Sequence, residues 1–80
     1  MRRAIVVPEI GAGAALISAW YAHLGERVYA GDRVVELLLG AATFDVTSPV
    51  TGMLVERLVS LGDHVAVGQV VGYVEEEDDA

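Results

Sequence analysis

The amino-acid sequence repeats itself at a spacing of 37 residues, and this repeat limits the folds that the chain can adopt. Residues 24–28 (LGERV) align with residues 61–65 (LGDHV), and the same shift aligns Gly31 with Gly68. A chain of 80 residues supplies one modest core, and neither half can bury its apolar face alone. We therefore predict a single domain in which two like units pack against each other.

The two halves differ in the length of their first loop. Pro8 and Pro49 align only at a shift of 41 residues, so the first half has four extra residues after its proline. These extra residues fall within segment 9–16, which is rich in glycine and alanine. The difference predicts an enlarged surface loop after the first strand.

The residue pattern predicts short β-strands. Valine is abundant, glycine recurs at close intervals, and no segment keeps a helical periodicity. Segment 12–23 has a local helical preference, but its equivalent, residues 53–60, is rich in β-forming residues. The predicted strands are 4–7, 16–22, 27–29, 33–38, 42–47, 53–59, 64–66 and 70–75. Eight short strands in two equal halves predict an all-β fold, either a small sandwich or a flattened barrel.

Matched tight turns are predicted at residues 24–26 (LGE) and 61–63 (LGD), because the central glycine supplies a positive φ. Asp32 and Asp63 lie beside predicted turns. We expect their carboxylates to accept hydrogen bonds from local backbone N–H groups rather than to act in acid–base catalysis.

The composition excludes several kinds of chemistry. Hydrophobic residues make up 54% of the chain and charged ones 21%, which excludes a disordered polar chain. Cysteine is absent, so disulfides and thiolate metal sites are impossible, and two histidines are too few for a histidine-rich metal site. All five basic residues are arginine. The chain therefore has no lysine amine for any reaction that needs one.

The net charge of −7 is concentrated near the C-terminus. Five of the twelve acidic residues lie at positions 75–79, and the other seven are offset by five arginines. We predict a single domain over residues 1–76 and an acidic tail over residues 77–80, either a solvated tail or an interaction tail. No basic stripe is present to meet phosphates, so nucleic-acid binding is not predicted.

The first residues lack the pattern of a targeting or membrane segment. Arg2 and Arg3 precede apolar residues, but Pro8 and Glu9 interrupt the apolar run. The run is also far shorter than a membrane span. We expect no membrane association and a cytoplasmic location.

Motifs along nearly the whole chain match one family of carrier domains. They are, in order, VPEIG (7–11), ISAW (17–20), GD (31–32), ATFDV (42–46), SPV (48–50), GD (62–63) and VGQ (67–69). This series resembles the biotinyl/lipoyl domains, most closely the lipoyl domains of 2-oxo acid dehydrogenase acyltransferases. The resemblance covers roughly residues 4–76. It implies two four-stranded antiparallel sheets related by an internal quasi-twofold axis.

The resemblance also implies a cofactor-attachment site, and this chain departs from the family there. Family members carry lipoate on a lysine within an Asp-Lys-Ala turn between the fourth and fifth strands. Counting towards this turn from Gly31 and from Ser48 places Ala41 at the lysine position, with Gly40 at the Asp position and Ala42 retained. Neither lipoate nor biotin can be attached through an amide to the alanine, so we expect no cofactor.

Two further departures lie near the same turn. Leu38 and Leu39 stand where the family has Glu and Thr, and Ala12 stands where it often has Glu between two glycines. The family fold places this loop beside the hairpin, where partner enzymes recognise the domain. The two leucines represent either ordinary packing at a strand end or an exposed contact patch, because strand alternation sends neighbours to opposite faces. Leu38, Leu39 and Ala12 are therefore candidate partner contacts.

The sequence contains no nucleophile–base pairing that a reaction would need, so we do not predict an enzyme. Our hypothesis is a non-catalytic, unlipoylated lipoyl-like module for protein binding or assembly, with a dehydrogenase-complex component as a candidate partner. The alternative is a swinging-arm acyl carrier whose attachment site has been removed by engineering or divergence. The sequence leaves homo-oligomerisation open.

Overall fold

The computed structural model describes residues 1–11 and 13–78, which form short β-strands joined by turns. The strands in these ranges are β1 (Arg2–Val6), β2 (Ala15–Trp20), β3 (Arg27–Val28), β4 (Arg33–Leu39), β5 (Ala42–Thr47), β6 (Gly52–Arg57), β7 (His64–Val65) and β8 (Val70–Glu76). Within the same two ranges, no helix has the length and apolar character needed to cross a membrane.

The strands form two four-stranded sheets, ordered β1-β8-β6-β3 and β5-β4-β2-β7. Every pairing is antiparallel. The counterpart of each strand lies four places along the chain, so that β1 corresponds to β5, β2 to β6, β3 to β7 and β4 to β8. Replacing every strand by its counterpart converts one strand order into the other. The predicted all-β fold of two four-stranded antiparallel sheets with internal quasi-twofold symmetry is confirmed.

The repeated turns tie each half of the chain to the other. Gly25 and Gly62 have φ angles of 85° and 87°, which an L side chain rarely adopts. The Gly25 N–H donates to the Leu54 carbonyl oxygen at 2.8 Å, and the Gly62 N–H donates to the Ile17 carbonyl oxygen at 2.8 Å. The predicted turns are confirmed, and the two bonds are equivalent under the 37-residue shift.

The aspartates beside the turns have the local role predicted for them. Asp32 Oδ2 accepts a hydrogen bond from the Tyr29 N–H at 2.9 Å, and Asp63 Oδ2 accepts one from the Ser60 N–H at 2.8 Å. Both carboxylates therefore stabilise turns, as predicted.

The core lies between the two sheets and takes side chains from both halves. Its largest fully buried members are Ile5, Val7, Ile17, Val34, Val35, Leu37, Leu54, Val65, Val71 and Val74. Each such side chain contributes about 1.5–3 kcal/mol relative to an exposed position, so this shared core holds the halves together.

Trp20 and Arg57 occupy equivalent positions and stack where the two halves meet. The Arg57 guanidinium carbon lies 5.0 Å from the indole centroid. Trp20 Nε1 donates to the Val59 carbonyl oxygen at 3.1 Å, and Arg57 Nη1 donates to the Ala22 carbonyl oxygen at 3.4 Å. Each side chain thus satisfies a carbonyl group at the end of the other half's strand.

Glu77, the first residue of the predicted acidic tail, forms hydrogen bonds with other parts of the chain. The Glu77 N–H donates to the Thr51 carbonyl oxygen at 2.9 Å. The Glu77 carboxylate accepts two bonds from Arg27, at 2.6 and 2.9 Å. These contacts join the beginning of the acidic run to Arg27 and Thr51. Asp79 and Ala80 lie outside the described residues.

Candidate functional site

The turn between β4 and β5 forms the exposed tip of a hairpin. Leu39 pairs with Ala42, so Gly40 and Ala41 are the two turn residues. Gly40 has a φ of 62°, whereas Ala41 has no positive φ. This is the pattern of a type II′ turn, in which glycine takes the first central position. Ala41 is exposed, so a side chain at this position projects into solvent.

An apolar row crosses the outer face of one sheet just behind this tip. Leu16 of β2 pairs with Leu38 of β4, which pairs with Thr43 of β5. The sequence neighbours Ile17 and Leu37 are fully buried in the core, so Leu16 and Leu38 face the opposite side of the sheet. Both leucines are half-buried. We call Leu16, Leu38 and Thr43 the apolar row.

Leu39 lies on the inner side of the hairpin. It is half-buried and packs against the edge of the core. A β-carbon placed on Gly13 would lie 4.0 Å from Leu39 Cδ1, so the first loop runs beside the hairpin. Leu38 and Leu39 thus point to opposite faces, and neither is fully exposed. The third candidate contact, Ala12, lies outside the described residues.

A polar cluster bounds the apolar row on the same outer face. The Glu36 carboxylate accepts hydrogen bonds from Ser18 Oγ at 2.8 Å and from the Tyr21 hydroxyl at 2.9 Å. These two bonds lower the pKa of Glu36 below its usual range. The Arg33 guanidinium lies 4.4 Å from the Tyr21 ring centroid and 3.8 Å from Asp45. Sequence reasoning missed this cluster, although β2 and β4 both place polar residues one step beyond the apolar row.

The opposite end of the domain is the symmetry equivalent of the hairpin tip, and it is charged. The Glu76 N–H donates to the Met1 carbonyl oxygen at 2.8 Å, in the place where Leu39 and Ala42 pair. A shallow groove of about 490 Å³ lies at this end. Its lining includes Arg27, Tyr29, Pro49, Thr51 and Glu77.

Hydrogen bonds already occupy the charged groups of this groove. Arg27 Nη1 donates to the Tyr29 hydroxyl at 2.6 Å, and the other guanidinium nitrogens bond to Glu77. The bonds from Arg27 lower the pKa of Glu77 below its usual range. The groove therefore offers its arginine to a ligand only if Glu77 is displaced.

The described residues do not form a reactive constellation. Across residues 1–11 and 13–78, no group of three or more His, Asp or Glu side chains could hold a metal ion. His23 and His64 are both exposed, and they lie on different elements of the fold.

Comparisons with known proteins place the whole fold in one family. A family model described as biotin-requiring enzyme, of the biotin/lipoyl type, matches residues 3–74. The dihydrolipoyllysine-residue succinyltransferase component of the 2-oxoglutarate dehydrogenase complex of Bartonella vinsonii subsp. berkhoffii is 38% identical over 77 residues, 94% of this chain and 19% of the relative. The same component of Staphylococcus saprophyticus is 34% identical over 74 residues, 90% of this chain and 18% of the relative. The chain spans about a fifth of the length of these curated relatives.

Two solved structures contain the same fold. The lipoyl domain of the 2-oxoglutarate dehydrogenase complex from Azotobacter vinelandii superposes with a TM-score of 0.69 at 24% identity, covering 90% of each chain. A single-chain, multi-domain long-chain acyl-CoA carboxylase superposes with a TM-score of 0.81 at 20% identity, covering 99% of this chain and 7% of that one. At these identities the structures show the fold alone, and the family is shown by the family model and the curated relatives. This chain belongs to the biotinyl/lipoyl domain family and is related to the lipoyl domains of 2-oxoglutarate dehydrogenase succinyltransferases.

Proposed function

We propose that this domain works without an attached lipoyl or biotinyl group, as a non-catalytic protein-interaction or assembly module related to 2-oxo acid dehydrogenase complexes. One observation carries the proposal. Ala41 stands at the exposed hairpin tip where the family resemblance places the carrier lysine, and the sequence contains no lysine. An amide to lipoate or biotin needs an amine at this tip, and a methyl group supplies none.

The departure is local to the hairpin end, and this supports a change of role rather than general decay of the domain. The turn glycines keep their positive φ, and the core remains continuous between the sheets. Random loss of function would be expected to damage these features as readily as the tip. A swinging-arm carrier that has lost its attachment site is the second candidate, favoured by the intact hairpin geometry around Ala41.

The partner that we propose is a component of a 2-oxo acid dehydrogenase complex, and the location that we propose is the cytoplasm. The curated relatives are components of the 2-oxoglutarate dehydrogenase complex, which supports this choice of partner. We propose no cofactor, no membrane association and no nucleic-acid partner. The domain would then bind a partner through its own side chains rather than through an attached cofactor.

Co-expression with an active lipoate ligase tests whether the tip is the lost attachment site. The wild-type chain is expected to keep its unmodified mass, and Ala41→Lys is expected to gain one lipoyl group in an intact-mass measurement. Ala41→Lys keeps Gly40 and therefore the observed turn, whereas Gly40→Asp with Ala41→Lys restores the family triplet at a position with positive φ.

Asp78→Lys is the matched control, because residue 78 is equivalent to Ala41 under the 37-residue shift and lies exposed at the opposite end. The Asp78→Lys variant should remain unmodified if the ligase recognises the hairpin turn. Equal modification of Ala41→Lys and Asp78→Lys would contradict the assignment of Ala41. So would the absence of modification in both Ala41→Lys and the double variant.

Isothermal titration with separately purified components of the 2-oxoglutarate dehydrogenase complex tests the interaction role. Saturable binding of the unmodified wild-type chain to one component is expected. If no component binds the chain, the interaction role is wrong.

A further inference from the structure

We infer that the hairpin end docks into an uncharged, apolar cleft of a larger protein, rather than onto a charged surface or onto a second copy of this chain. We define the hairpin end as the apolar row together with Gly40, Ala41 and Ala42. This inference rests on the proposed interaction role and adds the chemistry and shape of the partner's site.

The chemistry follows from the charges that the hairpin end lacks. None of its six residues is ionisable, although the chain carries a net charge of −7. On this face the carboxylates begin one step further along, at Glu36 and Asp45, and His64 of β7 pairs with Leu16 at the far edge of the row. A charged partner group placed against Leu38 and the turn would lose water without gaining a counter-charge, which is costly. An apolar wall, by contrast, gains free energy from the remaining exposed parts of both leucines.

The internal symmetry provides a comparison within the same molecule. The row equivalent to the apolar row, on the other sheet, consists of Met53, Glu75 and Arg2, paired in the same order. Two of these three residues are charged, although the backbone arrangement is the same. The absence of charge at the hairpin end is therefore a property of this end rather than a consequence of the fold.

The shape of the partner's site follows from the size of the end. The domain measures 43 × 20 × 17 Å, so its narrow end presents a cross-section of about 20 × 17 Å. A second copy meeting it end to end would bury much less than the roughly 800 Å² per partner of a standard interface. A cleft that surrounds the end also contacts the flanking strands and can reach that area. A concave partner is therefore favoured over self-association through this end.

The test uses the 2-oxoglutarate dehydrogenase component that binds the wild-type chain, and compares variants that each add one carboxylate to the surface of the domain. Ala41→Asp places it on the exposed tip, where it cannot disturb the core, and Leu16→Glu places it on the apolar row. Met53→Glu is the matched control, since Met53 is exposed and equivalent to Leu16 on the other sheet. Both hairpin-end variants should weaken binding by about tenfold or more, and Met53→Glu by less than about twofold.

A salt series on the wild-type chain separates apolar from charged docking. The Kd is expected to stay constant or fall slightly between about 0.05 and 0.5 M NaCl, because screening weakens only charged contacts. The cysteine-free chain also permits a single spin label at Ala41→Cys or at its equivalent Asp78→Cys. Only the label at position 41 should be immobilised in the complex.

The outcomes distinguish this inference from the proposed function. Binding that weakens steeply with salt, that responds equally to Met53→Glu, or that immobilises only the label at position 78 would overturn the apolar cleft while leaving the interaction role intact. Concentration-dependent dimerisation that Ala41→Asp abolishes would replace the cleft with a second copy. If no component binds, both the interaction role and the inference are wrong.

Discussion

The hairpin end and the opposite end of the domain, which is formed by Met1 with residues 75–78 and is called the terminal end, lie on equivalent strand pairs but differ in chemistry. Under the internal repeat, residues 38–41 (LLGA) are equivalent to residues 75–78 (EEED). Beside the hairpin end, Leu39 packs against the edge of the core. The terminal end is held by exposed ion pairs such as Arg27–Glu77 and Arg3–Glu76, which contribute little to stability. Within one molecule, equivalent strand pairs thus support one uncharged end and one charged end.

The largest expected effect breaks the equivalence of the two sheets. A β-carbon on Gly52 would clash with the Glu75 carbonyl oxygen, whereas the equivalent Ala15 already carries one and is fully buried. Gly52→Ala should destabilise the domain by about 3 kcal/mol, because backbone must move to admit the methyl group. Ala15→Gly should cost only about 1 kcal/mol. Urea denaturation of the two variants measures both losses of stability. Similar losses would contradict the prediction that only the sheet containing Ala15 has room for a methyl group at this position.

The next prediction tests how closely the two turns correspond. Gly25→Val and Gly62→Val should each destabilise the domain by about 1–3 kcal/mol, because both positions require positive φ. The two losses should agree within about 0.5 kcal/mol, given their equivalent hydrogen bonds to the opposite half. Gly25→Asn and Gly62→Asn are controls that should cost less, since asparagine tolerates this region better. Thermal unfolding monitored by circular dichroism measures the loss of stability for each variant. Unequal losses at positions 25 and 62 would contradict the equivalence of the two turns.

The sequence predicted the fold because its repeat aligns residues with demanding backbone roles. The matched glycine turns and the turn-binding Asp32 and Asp63 depend on local chemistry, which short segments encode. The β-bulges were not predictable in the same way. Val34 and its neighbour Val35 are both fully buried, which strict alternation forbids. The register explains it, because Arg33 pairs with Thr47 and Val35 with Val46, leaving Val34 as the extra residue of a bulge.

The candidate site was predictable in position but not in detail. Counting along the sequence located Ala41 at the hairpin tip, because the turn length is fixed by the flanking strands. Leu38 is half-buried beside its cross-strand partners Leu16 and Thr43, and Leu39 packs at the edge of the core near the loop that passes Gly13. Contacts such as Arg27–Glu77 join residues 50 positions apart, so they require the completed register.

The third prediction compares the packing of one end with the ion pairs of the other. Leu39→Ala should destabilise the domain by about 1–2 kcal/mol, since it removes a half-buried side chain from the edge of the core. Glu77→Gln should leave the urea midpoint close to that of wild type, because its pair with Arg27 is exposed. A loss for Glu77→Gln as large as that for Leu39→Ala would mean that the terminal pair, rather than packing, dominates the stability of the ends.

The smallest expected effect concerns the acid side of the stability profile, where Glu36 behind the hairpin end and Glu77 at the terminal end both have a lowered pKa. Hydrogen bonds from Ser18 and Tyr21 lower the pKa of Glu36, and bonds from Arg27 lower that of Glu77. A carboxylate whose folded pKa lies below its unfolded value stabilises the fold above the unfolded value. Both contributions should therefore be lost as the pH falls below about 4.5, the ordinary value for Glu, through the folded pKa.

The two contributions should differ in their response to salt, which separates the regions once more. Glu77 faces a full positive charge in solvent, so raising NaCl from about 0.05 to 0.5 M should remove most of the difference between wild type and Glu77→Gln. Glu36 accepts its bonds mainly from neutral hydroxyl groups, so the difference made by Glu36→Gln should persist in salt. Acid unfolding curves of both variants at the two salt concentrations provide the measurement. If salt removes both differences equally, the charge of Arg33 rather than the hydroxyl groups holds Glu36 ionised, and the cluster behind the hairpin end resembles the terminal end after all.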